Sequence, residues 1–166
     1  MNFFWLDASA YAKRYVAEKG TQLINYLFTR VPLERMVCLS EGGGEIIFVF
    51  VRRRNEGRIT TARFSRLREH FETEFIDRDE VGRVLPTEDQ ITDSWNLIEK
   101  YSLNSTDAIL LQCAFDRANE LRMNGDNLVL VSSDKRLLRA AQSEGLLTFD
   151  PESDSQTALD VFINSP

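Results

Sequence analysis

Three aspartates sit where a carboxylate needs a physical reason. Asp7 closes the apolar run Phe3, Phe4, Trp5, Leu6. Asp134 follows the run 128–131 and the pair Ser132-Ser133, and Asp107 stands at the head of "TDAILLQCAF". A lone buried carboxylate is costly, so a buried strand that ends on one calls for a partner. Asp107 and Asp134 each open a helical pattern, where a carboxylate offsets the N-terminal dipole by a few tenths of a kcal/mol. Taken singly, both read that way. Asp7 resists that reading, because no helix terminus claims it beside so aromatic a strand. In an open α/β sheet, ligands bind beyond the carboxyl ends of the strands. If the runs 3–6 and 128–131 adjoin in one parallel sheet, Asp7 and Asp134 share that edge. Carboxylates gathered there repel and raise one another's pKa unless a cation neutralises them. Oxygen-only ligands select a hard ion, Mg²⁺ or Mn²⁺, held through few protein contacts plus water and substrate phosphate. Such an ion activates bound water and stabilises charge on a phosphoryl group, which is the chemistry of phosphoester hydrolysis without a covalent intermediate.

The elements that would position these groups follow from hydrophobic patterning. The runs 3–6, 36–39, 128–131 and 146–149 are short and nearly continuous, as suits strands covered on both faces of a parallel sheet. Helical patterns lie between them. Ser9 caps a helix carrying Tyr11, Ala12, Tyr15 and Val16 that Gly20 ends, and Thr21 caps a second with Leu23, Ile24, Leu27 and Phe28 on one face. Phe64, Leu67, Phe71 and Phe75 fit a third. "TEDQ" at 87–90 is a capping box leading into Ile91, Trp95 and Ile98. "STDAILLQCAFDRANELR" and "SSDKRLLRAAQSEG" are two further helices, the latter ended by Gly145. Strands alternating with helices predict an α/β fold. The stretch 45–54, "EIIFVFVRRR", reads as a strand by propensity, yet periodicity does not separate that from a buried helix.

Composition narrows the function classes. Of 166 residues, 43% are hydrophobic and 28% charged, ordinary values for one soluble domain spanning 1–166. The longest uninterrupted apolar run is 46–51, too short for a membrane span. The N-terminus lacks the basic start of a signal peptide. Cys38 and Cys113 form no metal or redox spacing and read as buried thiols of a cytoplasmic protein. A net charge of −6 argues mildly against a passive nucleic-acid binder. That charge is unevenly placed: Arg52, Arg53, Arg54, Arg58, Arg63, Arg66 and Arg68 precede Glu69, Glu72, Glu74, Asp77, Asp79 and Glu80. Most of these residues read as solvated faces that partly neutralise each other. A functional reading gives the arginines to phosphates or to an acidic partner segment.

Several segments together resemble a known family. "FWLDASAYAKRY", a central Glu before an apolar run and "RRR", "TDAILLQCAF", and "LVLVSSDKRLLRAAQSEGLLTFDP" are similar to the PIN-domain nucleases, with VapC-like toxins of toxin–antitoxin pairs the nearest branch. The resemblance covers nearly the whole chain and is most specific in its last segment. It implies a PIN-like three-layer α/β/α fold around a central parallel sheet of four to five strands. It also implies a Mg²⁺- or Mn²⁺-dependent ribonuclease acting on RNA and leaving a 5′-phosphate. Its acidic quartet falls on Asp7, Glu45, Asp107 and Asp134, with Asp7, Asp107 and Asp134 on the metal and Ser9 and Ser132 supporting the metal site. Glu45 would orient or deprotonate the attacking water, or complete a second metal site. The family opens a helix at the central acid, which decides 45–54 in favour of a helix. Three glycines in "EGGGE" at 41–45 depart from the family pattern, are intrinsically mobile, and leave Glu41 as a competitor for the role of Glu45.

The resemblance also implies a cognate antitoxin, with the region 52–68 and the face Phe64, Leu67, Phe71 as its docking place, and a homodimer. Lys13 and Arg14 either meet RNA phosphates at the rim or form a solvated helix face. His70 lies away from every motif and reads as a surface residue. Alternatives are a catalytically inactive PIN-like binding module and a receiver-type signalling domain, though Lys135 directly after Asp134 is the wrong arrangement for the latter. A haloacid-dehalogenase-like phosphatase needs a second Asp where this chain has Ser9.

Overall fold

A computed structural model of the chain describes residues 1–77 and 81–165, so Asp79 and Glu80 of the acidic block lie outside the described residues. Five strands form one all-parallel sheet: β1 (Asn2–Leu6), β2 (Met36–Leu39), β3 (Gly82–Val84), β4 (Asn127–Val131) and β5 (Leu147–Phe149). Their order is β3-β2-β1-β4-β5. The four expected strands are present, and β1 pairs with β4 from Asn2↔Asn127 to Leu6↔Val131. The short edge strand β3 carries no apolar run and adds a fifth to the four that patterning predicts. Receiver-type domains carry the doubly wound order 2-1-3-4-5, so the observed order excludes that alternative.

Helices α1 (Ala8–Tyr11), α2 (Thr21–Arg30), α3 (Gly42–Asn55), α4 (Thr61–Glu72), α5 (Glu88–Tyr101), α6 (Ser105–Met123), α7 (Lys135–Ser143) and α8 (Gln156–Asn164) cover both faces. Alternate strand residues feed the two cores. Phe4, Leu6, Val129 and Val131 point to one face, among residues of α1, α2, α3, α4 and α8. Trp5, Leu128 and Leu130 point to the other, among residues of α5, α6 and α7. The result is the expected three-layer α/β/α arrangement, and burial on both faces explains the continuous apolar strands.

The stretch 45–54 lies within α3, where Gly43, Ile46 and Phe50 are buried. Strand propensity loses here to tertiary burial. Phe50 meets Tyr15 and Phe71 edge-on at ring-centroid distances of 5.8 and 6.1 Å, and Phe71 stacks on Phe75 at 4.9 Å. The glycines are not a mobile lead-in: they form the first turn of α3. A Cβ on Gly43 would stand 2.9 Å from Phe75 Cε1, so this glycine permits the close approach of the Phe75 ring.

Other local expectations need correction. Asp7, not Ser9, caps α1, which passes into a 3-10 turn over Ala12–Arg14. Gly20, at φ 88°, stands before α2 as its N-cap residue, and Thr21 is that helix's first residue. Phe75 falls in a π turn over Thr73–Asp77 beyond α4. The capping box at Thr87 forms as expected, but Trp95 is 60% exposed, and α5 turns Leu97, Ile98 and Tyr101 inward instead. Leu67 and Phe71 are buried, and Arg54 covers Phe64 at 4.5 Å. Leu67 and Phe71 are therefore largely committed to the core, while Phe64 stays partly exposed. Cys38 and Cys113 are buried free thiols, as expected.

Because Phe50 is fully buried and joins α3 to α4, Phe50→Ala is expected to lower unfolding free energy by about 3–5 kcal/mol. Urea or guanidinium titration of the purified protein measures this; a loss below about 1 kcal/mol would mean that the α3–α4 contact is not what holds α3 to the sheet.

Candidate active site

The strand order reverses between β1 and β4, from which the sheet winds outward to opposite edges. At such a switch point the loops diverge and leave a crevice beyond the carboxyl ends of the strands. Asp7 and Asp134 flank that crevice. The Asp7 N–H donates to the Val131 carbonyl at 3.0 Å, which extends the ladder one step past β1. Asp7 is buried, and its Oδ2 accepts the hydroxyls of both Ser9 and Ser132, the latter at 2.8 Å. Ser9 Oγ in turn accepts Ser133 N–H at 3.0 Å, and Ser132 Oγ accepts Asp134 N–H at 3.0 Å. The two post-strand turns are thus stitched together through the Asp7 carboxylate.

Each of the four carboxylates is delivered by a helix N-terminus. Asp7 is the N-cap of α1, and its side chain accepts the Ser9 N–H. Asp134 is the N-cap of α7, with Oδ1 accepting the N–H groups of Arg136 and Leu137 at 2.7 and 3.0 Å. Asp107 and Glu45 lie in the first turns of α6 and α3. The helix-capping reading that the aromatic strand argues against for Asp7 therefore applies to all four positions, and four positive dipole ends face one crevice.

Electrostatic coupling shows which acids are gathered. Burial, then the charges of Asp7 and Asp134, push the Asp107 carboxyl up to about 6, against the opposing pull of Arg136 and Asn104. Glu45 is raised by burial, then by Asp7 and Asp107. Asp7 is raised by burial, which outweighs its serine and backbone hydrogen bonds. Glu41 is exposed and its charge is felt by Cys113 on α6. Of the two competing acids, the structure brings Glu45 to the cluster.

Asn104 and Arg136 are site residues that sequence reasoning misses. Asn104 caps α6: its Oδ1 accepts Asp107 N–H at 2.8 Å, while its Nδ2 donates to Asp107 Oδ2 at 2.8 Å. Arg136 stands 3.8 Å from the same carboxylate and donates to the Ser102 carbonyl at 2.8 Å. An Asn three residues before Asp107 is the signal that could have found the first. Lys13 and Arg14 are not a solvated face. Lys13 is 2% exposed and bonds Glu18 and Glu152 at 3.0 and 2.6 Å. Arg14 bonds the buried Glu74 at 2.7 Å and lies 4.1 Å over the Phe28 ring. His70 is exposed, as expected, and reaches Glu74 at 3.6 Å.

Among the described residues, no group of three or more His, Cys, Asp or Glu side chains is placed to hold a metal ion. The groups gathered here are carboxylates, and burial, then the charges of neighbouring acids, raises Asp107 and Glu45. One oxygen of Asp134 is committed to capping α7. Such a set fits a hard dication held through a few carboxylates with water filling the remaining positions.

Because the folded carboxyl of Asp107 titrates near 6 rather than 3.8, its ionisation opposes folding above that range. The contribution is absent below pH 3.8, grows between 3.8 and about 6, and is complete above. Asp107→Asn is therefore expected to raise the melting temperature of the EDTA-treated protein at pH 7. The gain amounts to up to about 3 kcal/mol and fades as pH falls through that window. Thermal melts of both proteins from acid to neutral pH check it, and a variant with no gain at neutral pH would contradict the raised value.

Neither a protein-family model nor a curated relative matches the sequence. Solved structures do match. FitAB bound to an IR36 DNA fragment superposes with a TM-score of 0.63 at 12% identity, over 92% of this chain and 98% of that one. PAE2754 from Pyrobaculum aerophilum gives 0.59 at 16% identity, over 98% and 96%. FitAcB from Neisseria gonorrhoeae gives 0.58 at 11% identity, over 92% and 100%. With coverage nearly complete in both directions, the fold of this chain is the PIN-like α/β/α fold that its motifs resemble.

Proposed function

We propose that this chain is a Mg²⁺- or Mn²⁺-dependent endoribonuclease that hydrolyses RNA phosphodiester bonds at the acidic crevice, and that it is the toxin of a toxin–antitoxin pair. The observation that supports this reading is the convergence of four carboxylates from four helix N-termini at the switch point of the sheet. Mutual repulsion at that density needs a cation to relieve it. Asp7, Asp107 and the free oxygen of Asp134 are the residues that would hold the ion. When bound, the ion supplies activation of water and neutralisation of charge on the phosphoryl oxygens.

The chain's own residues account for the rest. Ser9 and Ser132 fix the Asp7 carboxylate in one orientation, and Asn104 does the same for Asp107. Glu45 stays half-buried beside two other acids, which raises its proton affinity. It therefore accepts the proton of an attacking water more readily near neutral pH than an ordinary carboxylate does. The α-helix dipoles aimed at the crevice favour the anionic substrate group as well as the acids. An antitoxin that covers the crevice in the resting pair, and pairing of two copies, belong to the same reading. No helix among the described residues is long and apolar enough to cross a membrane.

Incubation with structured and single-stranded RNAs, and DNA beside them, in Mg²⁺, Mn²⁺ or EDTA tests the proposal. Discrete RNA cuts that need metal are expected. Asp107→Asn is expected to lower the rate by at least about 100-fold, and Ser132→Ala by about 10–100-fold. Metal-independent cleavage, or cleavage indifferent to Asp107→Asn, would overturn the assignment of the crevice as the reactive centre.

A further inference from the structure

One acid of the crevice, Asp134, also lines a cavity that carries a run of basic side chains. A cavity of about 360 Å³ is lined by Ser9, Ser133 and Asp134 at one end and by Lys13, Arg52 and Arg53 further along. A second cavity, of about 380 Å³, shares Glu18 and Arg53 with the first and continues to Arg58 and Arg63. Five cations thus follow one another away from the reactive centre: Lys13, Arg52, Arg53, Arg58 and Arg63. Outside the crevice itself they answer to three carboxylates. Glu18 bonds both Lys13 and Arg53. Glu152 bonds Lys13. Glu56 is shared among Arg52, Arg53 and Arg58 at 4.0, 3.5 and 3.2 Å. In a chain of net charge −6, this local excess of positive charge runs against the composition.

Donor capacity along the track is not exhausted. Two of the three Lys13 N–H donors are engaged, by Glu18 and Glu152. Arg52 and Arg58 are 54% and 64% exposed, and Arg63 is exposed as well. The α3 helix also fixes the geometry: Arg52 lies seven residues beyond Glu45, nearly two turns, on nearly the same face and about 10 Å along the axis. That distance suits a backbone phosphate one or two nucleotides from a scissile group held at the crevice.

We propose that this track carries the sugar–phosphate backbone of the nucleic-acid substrate on one side of the scissile bond, with Arg52, Arg58 and Arg63 contacting successive phosphates and Lys13 and Arg53 lining its floor. The proposal rests on the nuclease reading above for its direction, since a strand with one phosphate at the acidic crevice leaves through the adjoining cavity. Continuity with that crevice favours a nucleic acid over an acidic protein segment, which would need no opening onto Asp134.

The test uses the full chain carrying Asp107→Asn, so that RNA stays intact, and a fluorescent single-stranded RNA titrated at several KCl concentrations. Adding Arg52→Gln, Arg58→Gln and Arg63→Gln together changes exposed side chains. Binding is expected to weaken about tenfold or more, with the slope of log affinity against log salt reduced by about 2. Arg117→Gln, a remote exposed arginine paired with Glu120, should leave both unchanged. In the otherwise natural chain, the triple substitution should appear as a raised KM for cleavage. Weakened binding in a chain that never cleaves RNA would keep the track and remove the nuclease reading. Metal-dependent cleavage with unaltered binding and slope in the triple variant would overturn the track alone. Equal loss of affinity for poly-glutamate, bound as tightly as RNA, would overturn it in favour of an acidic protein partner.

Discussion

Charge repulsion links four carboxylates: Asp7 and Asp134 act on Asp107, and Asp7 and Asp107 act on Glu45. Asp7, Glu45, Asp107 and Asp134 lie at or within the first turn of four different helices. Their negative charges therefore meet the positive ends of four helix dipoles. The serine hydroxyls on Asp7 and the amide of Asn104 on Asp107 add hydrogen bonds to the charged forms. These contributions are not enough to cancel burial and mutual repulsion, since Asp107 and Glu45 remain raised. Perturbed carboxyls gathered at a sheet switch point are what make this a candidate functional site.

Holding charges against their own repulsion requires rigid supports. The sheet supplies one by placing β1 and β4 side by side at the point where its winding reverses. The aromatic cluster of Tyr15, Phe50, Phe71 and Phe75 supplies another, because it fixes α3 against α4 and so sets where Glu45 stands. Gly43 belongs to the same device: its missing Cβ lets the Phe75 ring close on the start of α3. Lys13 ties the turn after α1 to the segment beyond β5 through Glu152.

Much of this architecture is legible in the amino-acid sequence. Short, two-sided apolar runs identify four of the five strands, and the capping box at Thr87 and the repeats beginning near Thr21, Thr106 and Asp134 locate α5, α2, α6 and α7, whereas α8 is not anticipated. The misses have separate physical causes. β3 is an edge strand of three residues, Gly82, Arg83 and Val84, with too little burial to leave an alternating or continuous pattern. Trp95 reads as inward because aromatic residues dominate cores, but helix α5 packs through Leu97, Ile98 and Tyr101 instead. Lys13 and Arg14 read as surface because charge is usually solvated, yet each finds a carboxylate distant in sequence.

The sequence by itself determined the local rules: which segments extend, which coil, where carboxylates cap helices, and that Asp7, Asp107 and Asp134 merit a common explanation. Local propensity is a short-range property and is written into neighbouring residues. Which of Glu41 and Glu45 joins the other acids, whether 45–54 is a strand or a helix on physical grounds, and which arginines of 52–68 line the cavities near Asp134 were decided only by tertiary structure. Those outcomes depend on contacts between residues far apart in the chain, such as Gly43 with Phe75, Arg53 with Glu18 and Glu45 with Asp107. No pattern within a single helical or strand period encodes them.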